Sequence, residues 1–192
     1  MDELNAFANR HGSNGHGWPA LVRSYGVSDP TATRLIRSLV ASEAAALAFC
    51  RLLDRWAKGE PEPCTPGRRQ AALRRAAERA ETALAGLERP LGRFLLELEP
   101  DGAEGRSWYG EPGPGEVLEW ADVLRRAGVT AAPHRVSQAY LELAVLVRAL
   151  QGLSTSSRLA SPPDRSSLWA GLFDLRENLL NGAVDDLRAL AA

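Results

Sequence analysis

Apolar residues recur along residues 65–100 at every third or fourth position, and this pattern predicts one long amphipathic helix. The steps between successive members alternate between four and three residues, which keeps one stripe of a helix against a partner. A strand would require apolar residues at every second position, and this stretch has no such alternation. Pro90 lies inside the stretch and predicts a kink or a break there. The apolar seam consists of Leu73, Ala77, Ala80, Leu84, Leu87, Leu91, Phe94 and Leu98.

Looser stripes of the same period predict three more long helices. They cover residues 29–58, residues 133–151 and a last segment that starts at Asp164 or Ser161. Shorter helices are predicted over 18–25 and 116–127. The predicted fold class is therefore all-α, a multi-helix bundle with four long helices and two or three short ones.

A turn-rich stretch at residues 100–115 is the best candidate for a boundary within this bundle, because it is dense in proline and glycine. The predicted organisation has four parts that together form one compact domain. They are an N-terminal segment at 1–17, a first helical half at 18–99, the connecting loop at 100–115 and a second helical half at 116–192.

Each half contains a Gly-Val elbow between a short helix and a long one. The two elbows, Gly26-Val27-Ser28 and Gly128-Val129-Thr130, are 102 residues apart. In each, the glycine is expected to end a helix in the left-handed conformation, the valine to anchor the turn and the hydroxyl residue to cap the next helix. A pseudo-twofold internal repeat explains the similarity, and so does independent use of the same elbow chemistry.

Composition limits the partners and the cellular compartment that we expect for such a bundle. The net charge of −1 gives no global attraction to nucleic acid or to an anionic membrane. Lys58 is the only lysine, and dominance of arginine and alanine is typical of a GC-rich bacterial genome. Neither a signal peptide nor a membrane-spanning stretch is recognisable, and Cys50 and Cys64 lack a metal-type spacing. These features favour a cytoplasmic protein with reduced thiols.

Residues 21–36 read Leu-Val-Arg-Ser-Tyr-Gly-Val-Ser-Asp-Pro-Thr-Ala-Thr-Arg-Leu-Ile. This segment resembles the helix-turn-helix of bacterial transcription regulators, in which a first helix ends at Gly-Val-Ser and a second enters the major groove. The resemblance implies that hydroxyl groups meet phosphates or base edges and that two arginines supply charge. The alternative is a well-capped elbow between two bundle helices. The implied contacts are Ser28, Thr31, Thr33, Arg34 and Arg37.

Two further stretches carry candidate contact residues. Arg68, Arg75 and Arg79 fall near one another on the side of their helix opposite the apolar seam. They form either a phosphate-binding stripe or an ordinary solvated face. Trp108 and Tyr109 are adjacent aromatic residues in the turn-rich stretch. They either contact a partner or plug into the bundle.

Catalytic chemistry has little support in this sequence. His11, His16 and His134 stand in no recognisable catalytic or metal-binding motif, and the Glu-x-x-His pair of di-iron bundles does not occur. We therefore predict no catalytic residue, no metal and no cofactor. The predicted function is that of a non-catalytic regulatory or scaffold protein that binds another protein or its own copy, as in a homodimer. The alternative is a DNA-binding regulator that uses residues 20–38, and no membrane partner is expected.

Overall fold

The chain folds as an all-α bundle, as the hydrophobic pattern predicts. The computed structural model describes residues 22–59, 65–100, 114–156 and 164–192, and within these ranges there is no strand. No helix in the same ranges combines the length and hydropathy that a bilayer crossing requires. The elements are α1 (Asp29–Ala57), α2 (Pro66–Leu98), α3 (Pro114–Arg126), α4 (Pro133–Ser156), α5 (Arg165–Asp174), a π-helical turn (Leu175–Leu180) and α6 (Asn181–Ala191).

The apolar seam of α2 faces the core along its whole length. Its members are between 0% and 2% exposed, which confirms the predicted stripe. The helix runs through Pro90 and continues to Leu98, so the chain does not break there. Proline removes one backbone hydrogen bond, and the packing of the seam on both sides of Pro90 holds the helix together across this gap.

Helices α1 and α2 run antiparallel and pack against each other. At one end of the pair, the backbone N–H of Ser28 donates to the carboxylate of Glu97 at 2.9 Å. Further along, the buried hydroxyl of Ser42 donates to the carbonyl of Ala83 at 3.1 Å. As the residue number rises on α1, its partner on α2 falls, and this fixes the direction of the two helices.

The centre of α4 lies in the core, in agreement with its almost continuous apolar sequence. Leu143 and Leu146 are completely buried. The hydroxyl of Tyr140 donates to Asp54 on α1 at 2.9 Å, and its ring packs against Trp120 of α3 with centroids 4.0 Å apart. Tyr140 therefore ties α4 to two neighbouring helices. The helix ends at Ser156, five residues beyond its predicted end.

The last long helix contains a wide turn that the sequence pattern did not predict. Its predicted start is confirmed, because Asp164 caps α5 by accepting the backbone N–H of Ser167 at 2.7 Å. The backbone stays helical through Leu175 and Asn181, so α5, the π-helical turn and α6 form one continuous rod. A single π-helical turn inserts one extra residue without ending the helix, which leaves no signal in an apolar pattern of period 3.6.

Both Gly-Val elbows have the predicted backbone. Gly26 and Gly128 are left-handed, with φ of 76° and 78°, and Val27 and Val129 are buried. Ser28 occupies the N-cap position of α1 but makes no side-chain bond to the N–H groups of its own helix. Its hydroxyl instead donates to Glu97 of α2, so the predicted capping bond is not formed.

Candidate interaction surface

A small apolar surface lies where the end of α2 meets the start of the last long helix. We define the apolar patch as Leu96, Trp169 and Phe173. Leu96 is 75% exposed and Phe173 is 39% exposed, while Trp169 is half-buried. The rings of Trp169 and Phe173 stack with centroids 4.9 Å apart, because residues four apart share one face of a helix. The patch therefore joins a leucine of one helix to an aromatic pair of another.

The first turns of α5 fix its position by binding the exposed end of α2. The last carbonyl groups of a helix have no partner within the helix. Here the guanidinium of Arg165 donates to the carbonyl of Leu98 at 2.8 Å and to that of Glu97 at 3.1 Å. The indole N–H of Trp169 donates to the carbonyl of Leu95 at 3.1 Å. The aromatic pair is thus held in place by polar contacts as well as by packing.

The side chain of Glu97 points away from α2 and binds the start of α1. Its carboxylate accepts the backbone N–H and the hydroxyl of Ser28 and the hydroxyl of Thr31. Burial works to raise the pKa of Glu97, but the bonds donated by Thr31 and Ser28 and the charge of Arg93 outweigh it and lower the pKa. The negative charge also lies at the positive end of α1, where the helix dipole favours it.

A groove of about 230 Å³ runs beside the apolar patch. Two charged residues also line it, Glu99 just after the end of α2 and Arg176 on the last long helix. Arg176 lies 3.2 Å from Glu177 and covers Gly92, the smallest residue in the groove wall. An apolar centre with a charged rim is the usual composition of a protein contact surface.

The residues implied by the helix-turn-helix resemblance divide into two groups. Ser28 and Thr31 bind Glu97, and Thr31 is buried. Arg34 and Arg37 are exposed on the outer side of α1, and Thr33 beside them is partly buried. Two of the three hydroxyl groups expected to meet DNA are therefore engaged by Glu97, whereas the arginines reach solvent. DNA contact by residues 20–38 stays a prediction.

The other predicted contact residues lie elsewhere. Arg68, Arg75 and Arg79 are exposed on α2, towards the end of the bundle opposite Glu97. At 1.5 Å per residue, Arg75 lies about 24 Å along the axis from the level of Arg34. The eight predicted nucleic-acid contacts consequently do not form a single surface. Trp108 and Tyr109 lie outside the described residues.

The side chains of Cys50 and Tyr140 are both held in their protonated forms. Burial, followed by the charge of Asp54, raises the pKa of the Cys50 thiol to about 12, which keeps it protonated at neutral pH. Burial and the bond to Asp54 also raise the pKa of Tyr140. In the part of the chain that the structure describes, no three histidine, cysteine or acidic side chains gather closely enough to bind a metal ion.

Sequence reasoning missed the apolar patch. Leu96 looked like an ordinary member of the apolar run Phe-Leu-Leu-Glu-Leu, although it lies outside the seam. The angle between Leu96 and the seam around the helix axis could have indicated that this side chain is exposed. Phe173 and Trp169 likewise stand four residues apart on a helix whose apolar stripe is carried by leucines.

No protein-family model, curated protein or solved structure matches this chain.

Proposed function

We propose that the protein is a non-catalytic regulatory or scaffold bundle that binds another protein, or a second copy of itself, through the apolar patch. The observation that carries this proposal is the exposure of Leu96 and Phe173 side by side, next to the half-buried ring of Trp169. Single exposed apolar residues are ordinary on protein surfaces, but clusters of them mark contact sites.

The energetics of the patch suit the centre of an interface. Complete burial of a leucine or phenylalanine side chain stabilises a complex by about 1.5–3 kcal/mol. Tryptophan and arginine are enriched among the residues that dominate binding, and the patch has Trp169 within it and Arg176 at its rim. A stable interface buries about 800 Å² on each partner, so the contact must also extend along the outer surfaces of α2 and α5.

A charged substitution inside the patch tests the proposal against a matched substitution outside it. The variant is Leu96→Asp/Phe173→Asp, and the control is Leu118→Asp, because Leu118 is 59% exposed on α3 and is not part of the patch. Sedimentation velocity over a range of concentrations measures self-association. A photo-crosslinking residue at position 96 or 118, in cells that express the chain, measures contact with another protein.

We expect the patch variant to lose self-association, or to lose the crosslinked product, while the Leu118→Asp control keeps it. Circular dichroism should stay unchanged in both, because the substituted side chains are exposed. The proposal is wrong if the wild-type protein is monomeric at every concentration and position 96 gives no more crosslinked product than position 118.

A further inference from the structure

The solvent-facing side of α2 carries a long row of arginines. We define the basic face as Arg68, Arg75, Arg79, Arg89 and Arg93, all of which are exposed. At 100° per residue, these five positions fall within about 80° around the helix axis, and from first to last they span about 38 Å. The row is therefore narrow and as long as most of the helix.

The acidic residues of α2 do not neutralise this row, because three of the four are turned to other helices. Glu81 lies 3.5 Å from Arg188 of α6, and Glu88 lies 3.9 Å from Arg176. Glu97 binds the start of α1. Glu78 and Glu88 are both exposed, and of the two Glu78 lies beside the basic face. A helix with seven arginines and four glutamates thus separates its charges into an outer basic face and acidic flanks.

The arginines of the basic face also differ from those on its flanks. Arg69 donates to the carbonyl of Ala127, and Arg74 donates to the carbonyl of Ala192, so both support the fold. By contrast, the side chains of four members of the face make no hydrogen bond or ion pair with the residues that the structure describes, namely Arg68, Arg75, Arg79 and Arg89. Arg93 has only a long contact with Glu97, at 3.8 Å. The charge of the basic face is therefore available to a ligand.

The spacing of the charges suits two rows of phosphates. The pair Arg75 and Arg79 and the pair Arg89 and Arg93 lie about 21 Å apart along the helix, from centre to centre. Between the pairs, the exposed positions that share the arc of the arginines are Thr82 and Gly86, both small. A duplex major groove is about 12 Å wide. Long arginine side chains on both sides of such a gap reach the two phosphate strands that border it.

We propose that the basic face of α2 binds the phosphate backbone of double-stranded DNA without regard to base sequence. Arginine binds phosphate through paired hydrogen bonds. No large apolar side chain is exposed on α2 between Arg68 and Arg93. Such side chains form the core of a protein interface and insert into a membrane surface, so this face suits a polyanion better than either. This function is independent of the apolar patch and uses different residues.

Fluorescence anisotropy with a labelled DNA duplex tests the proposal on the full chain. The variant is Arg75→Ala/Arg79→Ala, and the control is Arg125→Ala/Arg126→Ala on α3, which changes the net charge equally at exposed positions. Salt is varied from about 50 mM to about 200 mM. Each lost phosphate contact makes the plot of log affinity against log salt shallower by about 0.9. We therefore expect a slope shallower by about 2 and binding weaker by about tenfold for the variant.

Three comparisons decide the outcome. A second duplex of unrelated sequence should bind equally well, and the control variant should bind like the wild type. The proposal is overturned if the wild-type protein does not bind at about 50 mM salt, or if the control weakens binding as much as the variant. It is also overturned if Arg34→Ala/Arg37→Ala alone abolishes binding, or if phosphatidylserine vesicles or polyglutamate bind in place of DNA. Circular dichroism of each variant checks that the helices are intact.

Discussion

Glu97 and Glu142 both lie where helices meet, yet the pKa values of their carboxyl groups are shifted in opposite directions. Glu97 accepts three hydrogen bonds from the start of α1, and its pKa is lowered. Glu142 accepts one bond, from the Gln138 amide at 2.6 Å, and its Oε2 is buried without a hydrogen-bond partner among the described residues. Burial raises the pKa of Glu142, the Gln138 bond opposes this, and the charge of Asp186 raises it further.

The difference comes from what the neighbouring helix offers. α1 offers its N-terminus, which supplies donors and the positive end of a dipole. α6 offers Gly182, where an added Cβ would lie 3.5 Å from Oε2 of Glu142, and the carboxylate of Asp186 nearby. A carboxylate at a helix contact therefore stabilises the fold only when its neighbour supplies donors, and it is costly when the neighbour supplies bare backbone and a second negative charge.

Removal of the Glu97 carboxylate should have the largest effect. Glu97→Ala takes the acceptor from the N–H and hydroxyl of Ser28 and from the buried hydroxyl of Thr31, and it removes a negative charge from the start of α1. We expect the free energy of unfolding to fall by about 2 kcal/mol. Urea denaturation measures the change. The control is Glu99→Ala, two residues away and exposed, which should change stability by less than about 0.5 kcal/mol. Equal losses in both variants would contradict this role of Glu97.

Neutralisation of Glu142 should have the opposite sign. Glu142→Gln keeps an oxygen for the Gln138 amide but removes the buried charge and its repulsion by Asp186. We expect the free energy of unfolding to rise by about 1 kcal/mol at neutral pH. Glu119→Gln, at an exposed position of α3, is the matched control and should leave stability unchanged. A loss of stability in Glu142→Gln would mean that the carboxylate has a partner that the packing does not reveal.

The pH dependence of both variants follows from the two pKa shifts. The pKa of Glu97 is lowered on folding, so its stabilisation is present above the unfolded value of about 4.3 and is lost as the pH falls through the folded value. The pKa of Glu142 is raised, so its cost is absent below about 4.3, grows as the pH rises from there to the folded value, and is complete above that value. Burial and Asp185 also raise the pKa of Asp186, while Arg135 opposes them.

Each variant's difference from the wild type in the free energy of unfolding should therefore shrink on acidification. The two differences should shrink over different pH ranges. The gain of Glu142→Gln should close first as the pH falls, and the loss of Glu97→Ala should persist to lower pH. Urea denaturation from about pH 7 to about pH 2.5 measures both curves. A gain from Glu142→Gln that stays constant over this range would rule out a raised pKa at Glu142.

Local sequence predicted the features that depend on neighbours in the chain. The seam of α2 follows from spacing alone, and Gly26 and Gly128 follow from the need for a left-handed residue at a helix end. These features are decided within a few residues. The same reasoning assigned Ser28 as a cap, because a serine before Asp-Pro is a common start of a helix. A long-range contact with Glu97 decided that position instead.

The functional surfaces could not be predicted because they depend on which helix lies beside which. Glu97 and Ser28 are 69 residues apart, and no local spacing relates them. The apolar patch arises because Arg165 and Trp169 bind the end of α2 and bring Phe173 beside Leu96. The three arginines predicted on α2 were visible in the sequence, but the contacts of Glu88 and Glu81 with Arg176 and Arg188 of the last long helix were not.

The smallest effect should come from Gly182, which lies under Glu142. Gly182→Ala replaces a glycine inside a helix, which usually stabilises the helix by about 0.5–1 kcal/mol. The added Cβ would make ordinary contact with Oε2 of Glu142 at 3.5 Å. It would also shield that charged oxygen further from water, and this opposes the gain. We therefore expect a net gain below about 0.5 kcal/mol in the wild-type protein.

Gly182→Ala should give the full stabilisation of a glycine replacement when residue 142 is neutral. The test is therefore a double-mutant cycle with Glu142→Gln. Gly86→Ala is the control, because Gly86 is exposed within α2 and an added Cβ there meets no atom within 4 Å. It should stabilise both backgrounds equally. Gly182→Ala should stabilise the Glu142→Gln background more than the wild type, because only the wild type has a buried carboxylate to shield. Equal gains for Gly182→Ala in both backgrounds would mean that water already fails to reach this oxygen, and the cost of Glu142 would then come from Asp186 alone.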